Sequence, residues 1–561
     1  MDNKNLILAV VLSVALLWGY TTFIAPPPPK NQPATQEQKQ AQDKEGAKPA
    51  ETGKPGEAAS PGSQALAPAP AAPLAQAAKD ITVETPLMKI VFSERGGAAR
   101  QVVLKKYHME PGKAGGPFVL LDIKSSDPYS LGLSLPNVDP QLGLRTFTAS
   151  AGSLKVEMGQ PPQSLVFKTQ SAGMAVEKIY TFKSDSYAFD MTVRITNQTQ
   201  QNMEITPEIS LHEYGEKAKV NTYAFTGLEA WRDHRLVEHS DSDIEKETRV
   251  ESGSVQWAGL SIPYFLGVIA PTSAEPEGIK RSVRGSGKAG LMTATIVEPP
   301  LALAPGQTQE KTFMVFYGPR DLGVLEPLGH NLEKAVDFGW FDLIAKPMLA
   351  SLNFFERYVG NYGVAIILIT IMIKILLWPV AAKSYKSMKK MQELQPVLAK
   401  LKEKYKDDRE RMQQETMQLY KTYKVNPLGG CLPMVVQFPV FIAFYKVLGS
   451  AIELRHAPFM LWINDLAAPD RLPIGFDFAI PFVQQGYGLP VLTILMGGSM
   501  FLQQKMTPTT GDPTQAKMML MMPVVFTFMF LNFPSGLVLY WLVQGILSIG
   551  QQYWTNKQKA K

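Results

Sequence analysis

The amino-acid sequence predicts a multi-domain membrane protein, with an α-helical membrane core of six spans and an exported all-β domain. Three observations lead to this prediction. A continuous apolar run occupies residues 6–25, short stretches of alternating apolar and polar residues fill the chain from about 80 to 320, and five further apolar segments follow Trp340. Runs of about 20 apolar residues can cross a bilayer, whereas alternation with a period of two is typical of strands with one buried face.

The first apolar run favours a membrane anchor, residues 1–25, over a cleaved signal peptide. Its last residues, Phe23, Ile24 and Ala25, run directly into four prolines, which make a poor peptidase substrate. From 26 to 79 the chain is mostly Pro, Ala, Gln, Lys and Gly without any aromatic residue. Such a composition cannot bury enough apolar surface to offset the entropy of ordering, so a disordered tether is expected.

Short alternating segments predict that residues 80–335 form an antiparallel β-sandwich domain that ends in a helix from Asp321 to Ala335. The segments read MKIVFS, SLVFKTQ, YAFDMTVRITNQT, MEITPEISLH and KTFMVFYG, and Gly, Pro and Asn-rich turns separate them. The single cysteine of the chain, Cys431, excludes an intramolecular disulfide, so this domain must depend on its core. Residues 336–360 mix aromatic and charged side chains, which is typical of an amphipathic helix lying along a membrane interface.

Residues 361–561 are expected to form the membrane core of five helices with a helical hairpin at 383–425. The apolar segments are 364–382, 431–448, 489–502, 518–533 and 537–549. Twelve Lys or Arg residues occupy the hairpin, and the last residues of the sequence include Lys557, Lys559 and Lys561. Positive charge marks the cytoplasmic side, so both termini are expected there and the β-domain across the membrane. The basic hairpin suits anionic lipid or ribosomal RNA, and a merely solvated charged face is the alternative.

One lysine interrupts the apolar segment IILITIMIKILLWPV, and its charge requires an explanation. A charge at the centre of a bilayer costs from ~3 to more than ~10 kcal/mol. Thr370 lies one helical turn before Lys374, and Pro379 cannot donate to the carbonyl of Ile375, so polar groups gather there. No span places an Asp or Glu near its middle. A hydrated groove is therefore expected around Lys374, and a snorkelling lysine without function is the alternative.

Two other functions compete with a groove. A solute transporter could use Lys374 as an anion site, although no acidic relay or inverted repeat is evident. A carbohydrate-active enzyme could use the β-domain, with acid and base supplied by His212 and Glu213, or by His234, Glu238 and His239. Strand-surface polar residues explain these side chains equally well. We expect no catalytic residues, no metal site and no cofactor.

Four long motifs carry a resemblance to a known family. They are YKVNPLGGCLPMVVQFPVFIAFY (Tyr423 to Tyr445), LRHAPFMLWINDL (Leu454 to Leu466), QKMTPTTGDPTQAKMM (Gln504 to Met519) and FPSGLVLYW (Phe533 to Trp541). In this order they closely resemble the YidC family of bacterial membrane protein insertases. The preceding anchor, tether and β-domain look like the extended form of Gram-negative bacteria, in which the exported domain is a β-supersandwich similar to sugar-binding mutarotase folds.

The resemblance implies a membrane protein insertase and chaperone of the bacterial inner membrane that breaks no covalent bond. It implies nascent membrane proteins, the ribosome, the Sec translocon and membrane lipids as partners, and no small-molecule substrate. In the family, a positively charged residue of the second span lies in a hydrophilic groove. Lys374 occupies that place, where arginine is more usual, and Thr370 and Gln437 match polar groove positions. Tyr540 and Trp541 match aromatic positions along the client path.

Overall fold

The computed structural model describes residues 78–112, 115–215, 225–272, 280–406, 408–423, 425, 432–474, 488–506 and 513–557. The predicted anchor and all but the last two residues of the predicted tether lie outside the described residues. Both therefore stay predictions.

Strands follow one another from Asp80 to Pro319 among the described residues. They are β1 (Asp80–Glu84), β2 (Met88–Ser93), β3 (Ala98–His108), β4 (Pro117–Asp122), β5 (Gly132–Ser134), β6 (Thr148–Ala149), β7 (Ser153–Lys155), β8 (Gln163–Ser171), β9 (Met174–Phe182), β10 (Ala188–Asn197), β11 (Met203–Ile205), β12 (Glu208–Tyr214), β13 (Gly227–Arg232), β14 (Arg235–Ser240), β15 (Arg249–Gly253), β16 (Val255–Ile262), β17 (Phe265–Pro271), β18 (Arg281–Lys288), β19 (Leu291–Val297), β20 (Leu301–Leu303) and β21 (Thr308–Pro319).

The strands form large, mostly antiparallel sheets. A nine-stranded sheet has the order β14-β13-β16-β17-β21-β10-β9-β8-β6, and two five-stranded sheets have the orders β4-β3-β2-β1-β7 and β15-β18-β19-β12-β5. The pairing of β1 with β7 is parallel. Residues of β9 alternate between buried and half-buried positions, as the period of two predicts. The rings of Phe92 in β2 and Tyr180 in β9 lie 4.5 Å apart, so these sheets face each other. The predicted β-rich part of the chain is confirmed.

Helices dominate after the last strand. The α-helices of the described residues are α1 (Asp241–Lys246), α2 (Leu322–Leu325), α3 (Asp342–Val359), α4 (Tyr362–Glu393), α5 (Gln395–Lys404), α6 (Arg409–Thr422), α7 (Leu432–Ser450), α8 (Val491–Met506), α9 (Pro513–Phe530) and α10 (Ser535–Lys557). Of these described helices, only α4 is both long and apolar enough to cross a membrane, while Val435–Ser450 and Met519–Phe530 are shorter apolar stretches. The number of six spans therefore stays a prediction.

The helix expected from Asp321 to Ala335 is wrong as one continuous element. The chain forms α2 and then two separate 3-10 turns, Glu326–Leu328 and Leu332–Ala335. Gly329 and Asn331 have φ angles of +72° and +58°, which lie in the left-handed region and cannot continue a right-handed helix. Three apolar residues of this segment, Leu325, Leu332 and Ala335, are nevertheless fully buried.

Local signals in the sequence set the ends of the core helices. The Asn361 side chain accepts a hydrogen bond from Val364 N at 3.1 Å and so caps α4, directly after Gly360 has ended α3 with a φ of +65°. Pro396 lies in the first turn of α5, where its missing N–H costs nothing. Asp408 caps α6, because its side chain accepts a hydrogen bond from Arg411 N.

A loop of the helical core docks onto the β-domain. Arg455, which follows α7, donates a hydrogen bond from Nη2 to the carbonyl of His108 at 2.9 Å. Its guanidinium lies 5.0 Å from the ring centre of Phe118 and 5.5 Å from that of Phe265. These two rings stack 4.1 Å apart, and Tyr107 meets Phe265 edge-on at 5.3 Å. We call the three aromatic residues Tyr107, Phe118 and Phe265 the aromatic seat of Arg455.

Candidate functional site around Lys374

The lysine of the apolar helix α4 points toward the last helix, α10. Its Nζ donates a hydrogen bond to Ser548 Oγ at 2.7 Å. The residue is 7% exposed, so neighbouring helices cover most of its surface. The Ser548 hydroxyl itself donates to the carbonyl of Gln544 at 2.7 Å, which leaves its lone pairs for the ammonium. Lys374 is therefore held across two helices by a neutral acceptor.

Thr370 lies one turn before Lys374 and is fully buried. Its hydroxyl donates to the carbonyl of Ile366 in the same helix at 2.6 Å. This back-bond satisfies the hydroxyl proton without a partner on another helix. Thr370 therefore shares the buried face of α4 with Lys374, and its proton is used inside that helix.

Gln437 of α7 and Tyr540 of α10 meet directly. The Gln437 amide donates to the Tyr540 hydroxyl, and Gln544 Nε2 lies 3.5 Å from Gln437 Oε1, at the limit of a hydrogen bond. The Tyr540 ring is fully buried and lies 4.7 Å from the ring of Phe444. These contacts make a polar link between α7 and α10 inside an otherwise aromatic environment.

Trp541 follows Tyr540 along the chain and packs on different neighbours. Its ring lies edge-on to Phe441 at 5.5 Å and to Phe530 of α9 at 5.8 Å. The indole N–H is buried and has no hydrogen-bond acceptor among the described residues. Tyr540 and Trp541 thus belong to two surfaces, a polar one toward Gln437 and an aromatic one toward α9.

Four polar side chains, spaced three or four residues apart, form one face of α10. We call this set, Tyr540, Gln544, Ser548 and Gln551, the polar stripe. It connects to α7 through Tyr540 and to α4 through Ser548, and Gln551 Nε2 lies 3.4 Å from the carbonyl of Trp378. The stripe extends ~16 Å along the helix at 1.5 Å per residue.

Sequence analysis named Tyr540 among the polar residues of this helix but missed Ser548 and Gln551. The regular spacing was the available signal, because residues three and four apart share a helix face. Which residue of another helix would meet that face could not be read from the spacing.

The charge of Lys374 has no acidic counterpart in the apolar helices. The sequences of α4, α7, α8, α9 and α10 contain one carboxylate, Glu393, which ends α4 about 28 Å along the helix axis from Lys374. Two side-chain oxygens beside Ser548, Gln544 Oε1 and Gln551 Oε1, are buried without a donor among the described residues. An uncompensated ammonium among neutral acceptors attracts an incoming negative charge or water.

Among the His and Glu residues considered in the β-domain, His212 and His239 have separate hydrogen-bond partners. His212 Nδ1 bonds Thr293 Oγ1 at 3.0 Å, and burial lowers the pKa of His212 to about 4. His239 bonds Glu251 at 2.9 Å. His234 lies in the exposed turn between β13 and β14, where its φ is +60°. No cluster of three or more metal-ligating His, Cys, Asp or Glu side chains occurs within the described residues.

Comparison with known proteins gives matches along nearly the whole chain. Residues 80–351 match the family model described as YidC periplasmic domain, and residues 354–561 match the model described as 60Kd inner membrane protein. The membrane protein insertase YidC of Pelobacter propionicus is 42% identical over 563 residues, which cover 99% of both chains. That of Syntrophus aciditrophicus is 42% identical over 577 residues and covers both chains completely.

Among solved structures, a crystal structure of an active YidC insertase with its first transmembrane domain resolved is 17% identical to this chain. The match covers 86% of this chain and 93% of the other, with a TM-score of 0.38, at which the likeness carries no argument. The two relatives that are 42% identical along their full length show the family of this chain. The chain belongs to the YidC family of membrane protein insertases.

Proposed function

We propose that this protein is a membrane protein insertase and chaperone of the bacterial inner membrane. It receives polar parts of nascent membrane proteins in a hydrophilic groove around Lys374 and releases their apolar segments into the lipid. Membership of the YidC family and the names of its full-length relatives support this function. The reaction breaks no covalent bond, so the protein acts by binding and release.

The observation that carries the proposal is a buried cation whose hydrogen-bond acceptor is neutral. Lys374 donates to Ser548, and the neighbouring helices offer no carboxylate near it. Two unit charges 4 Å apart attract each other by about 4 kcal/mol at an effective dielectric constant of about 20. A client segment that brings a carboxylate to this position gains that attraction, whereas a neutral segment does not. The site therefore favours clients with acidic translocated segments.

Polar and apolar surfaces adjoin in this part of the core. The polar stripe with Gln437 offers hydrogen bonds to a client backbone or polar tail. Beyond Trp541, α9 exposes large apolar side chains, among them Met521, Met522 and Phe528. Methionine adapts to many apolar partners, as a surface for varied clients requires. Burial of client side chains in lipid supplies ~0.8 kcal/mol per CH₂ and drives release without a nucleotide.

The groove is proposed to open toward the cytoplasm and to close toward the exported side, bounded by the five core spans of residues 361–561. Both termini and the hairpin 383–425 are then cytoplasmic, and the β-domain, residues 80–335, is periplasmic. The twelve basic residues of the hairpin support this orientation and suit contact with the ribosome. The Sec translocon is a further proposed partner.

The segment 336–360 is proposed to lie along the periplasmic membrane interface. Its helix α3 buries Ala345, Met348, Leu349 and Leu352 against the rest of the protein. Leu343 on the same helix is 87% exposed, and Trp340, Phe354 and Tyr358 are exposed as well. Aromatic and apolar side chains exposed at one surface suit the headgroup level of a bilayer.

A reconstituted insertion assay tests the proposal. Full-length protein in proteoliposomes receives two clients that share one apolar segment and differ only in an acidic or neutral translocated tail. Lys374→Ala should lower insertion of the acidic client more than that of the neutral one. Lys374→Arg should retain insertion of both clients. Equal insertion of both clients by Lys374→Ala would refute the role of the charge, and anion uptake that depends on Lys374 would favour a transporter instead.

A further inference from the structure

We propose that Ser548 is the positioning residue for Lys374: it holds the ammonium between α4 and α10 in the orientation that receives a client carboxylate. This inference rests on the proposed function and adds the residue that tunes it. It is carried by the 2.7 Å contact between Lys374 Nζ and Ser548 Oγ and by the bonding pattern around that hydroxyl.

Every hydrogen-bonding atom of Ser548 has a defined role. A serine hydroxyl has one proton and two lone pairs. The proton goes to the carbonyl of Gln544 at 2.7 Å, one turn earlier in α10. The lone pairs then face outward from α10, where one accepts from Lys374 and where Tyr385 also forms a hydrogen bond with Ser548. The back-bond thus fixes the direction from which the hydroxyl accepts, and this direction fixes the ammonium.

A lysine needs such a partner because its side chain is long and flexible. Four rotatable bonds allow the ammonium to snorkel toward water at the end of a membrane helix. The acceptor on a second helix restricts it to the space between α4 and α10. Since the acceptor is a neutral hydroxyl, it orients the ammonium without neutralising it.

The neighbours of Ser548 on the polar stripe leave places for a client. Gln544 Oε1 and Gln551 Oε1, about one turn to either side, are buried acceptors without a donor among the described residues. Buried polar atoms usually have partners, so these oxygens mark where water or client N–H groups bind. A client carboxylate at the ammonium would then have acceptors for its own backbone beside it.

A purely structural role for Ser548 makes different predictions from a positioning role. A hydroxyl that only joins two helices would, once removed, lower the stability of the protein and the insertion of every client alike. A positioning residue affects clients that use the charge and spares those that do not. The ratio of acidic to neutral client insertion separates the two roles.

The test compares Ser548→Ala and Ser548→Thr in the full-length protein, with the acidic and neutral clients described above. Ser548→Ala should lower insertion of the acidic client about tenfold, as expected for the loss of one hydrogen bond to a charged group, and leave the neutral client within about twofold. Ser548→Thr keeps the hydroxyl and should retain insertion of the acidic client. Thr555→Ala is the matched control, because the Thr555 hydroxyl makes the same back-bond, to Gln551 at 2.9 Å, two turns further along α10.

Ser548→Asp keeps the inference testable if the alanine variant fails to fold. Its carboxylate would pair with Lys374 and compete with the client carboxylate. Insertion of the acidic client should therefore be lost, while the neutral client should still insert. Suppose that Lys374→Ala impairs insertion of the acidic client. The positioning role is then overturned if Ser548→Ala lowers insertion of both clients equally. It is also overturned if neither Ser548→Ala nor Ser548→Asp changes insertion of the acidic client. If Lys374→Ala impairs neither client, the proposed function of the groove itself fails.

Discussion

Loss of the Arg455 side chain should loosen the β-domain from the helical core. The guanidinium donates to the carbonyl of His108 at 2.9 Å and lies 5.0 Å and 5.5 Å from the ring centres of Phe118 and Phe265. Burial lowers the pKa of Arg455, whose side chain is partly buried. Arg455→Ala removes the hydrogen bond and the cation–π contacts together, and leaves the aromatic seat without its cation.

The magnitude follows from these two contacts. A hydrogen bond from a charged group contributes about 1.5–3 kcal/mol, and a desolvated cation–π contact about 2 kcal/mol. Desolvation of the guanidinium offsets part of this sum. We therefore expect a net loss of about 2 kcal/mol, which lowers the ratio of docked to undocked β-domain about thirtyfold. Arg455→Lys keeps a charge but loses the planar stack, so its effect should be intermediate.

Pulsed electron paramagnetic resonance on the full-length protein measures the docking. Cys431→Ser removes the single native thiol, and spin labels are attached at Met158 in the β-domain and Leu461 in the helical core, which are 69% and 80% exposed. The distance distribution should broaden in Arg455→Ala. Arg100→Ala, which breaks an exposed ion pair with Asp80 inside the β-domain, should leave it narrow. An unchanged narrow distribution in Arg455→Ala would refute the reasoning.

Three further predictions concern the charge, the β-domain and pH. Lys374→Glu should abolish insertion of acidic-tailed clients, because its carboxylate repels the acidic tail. Full insertion of such clients into vesicles would contradict the proposed groove at position 374. Deleting residues 80–301 should leave insertion mostly intact, because the β-domain is proposed to lie across the membrane from the entry side; total loss by a stably expressed deletion would contradict this. Burial lowers the pKa of Lys178 from 10.5 to about 7, so the unfolded state binds more protons than the folded state between those values, and the free energy of unfolding should rise with pH there. Denaturant unfolding of the full-length protein, followed at pH 7 and 9 by β-domain tryptophan fluorescence, should show this rise, and Lys178→Met should lack it; an equal rise in both proteins would contradict the assignment.

The β-strands could be predicted where burial alone decides the pattern. In β9, Met174, Val176, Tyr180 and Phe182 are buried at every second position, and the sequence shows this alternation directly. Lys178 occupies the same inward register although it is charged. Its Nζ lies 3.0, 2.8 and 2.6 Å from the carbonyl oxygens of Gly96, Gly97 and Leu131. These carbonyls belong to turns that are distant in the sequence, so no local pattern could predict that a lysine is buried there.

In the candidate site, too, the sequence predicted residues that follow from local patterns but not their distant partners. Lys374 stood out because a charge in an apolar helix is costly, and Thr370 followed from helical spacing. Gln437, Tyr540 and Trp541 were named from the family resemblance, and the structure shows Gln437 bonded to Tyr540 while Trp541 packs elsewhere. The partner of Lys374 is 174 residues away in the chain and depends on how α4 packs against α10.

The wrong prediction at Asp321–Ala335 has a local physical cause. The apolar spacing there resembles one helix, but Gly329 and Asn331 adopt left-handed backbone angles that divide it into short turns. Asn331 Nδ2 donates to Gln256 Oε1 at 2.7 Å, so a contact with the β-domain supports the turn. Tertiary contacts therefore decided this segment against its periodicity.

Site-specific crosslinking of a ribosome-stalled client tests the central claim most directly. A photoreactive residue replaces Gln437, beside the polar stripe, or Leu376, which is 75% exposed and lies on the opposite face of α4 from Lys374. If nascent chains enter a groove at Lys374, a stalled client with an acidic tail should crosslink strongly from position 437 and weakly from 376, and Lys374→Ala should reduce the first signal. No crosslink from position 437, or equal crosslinks from both positions that Lys374→Ala leaves unchanged, would contradict the account.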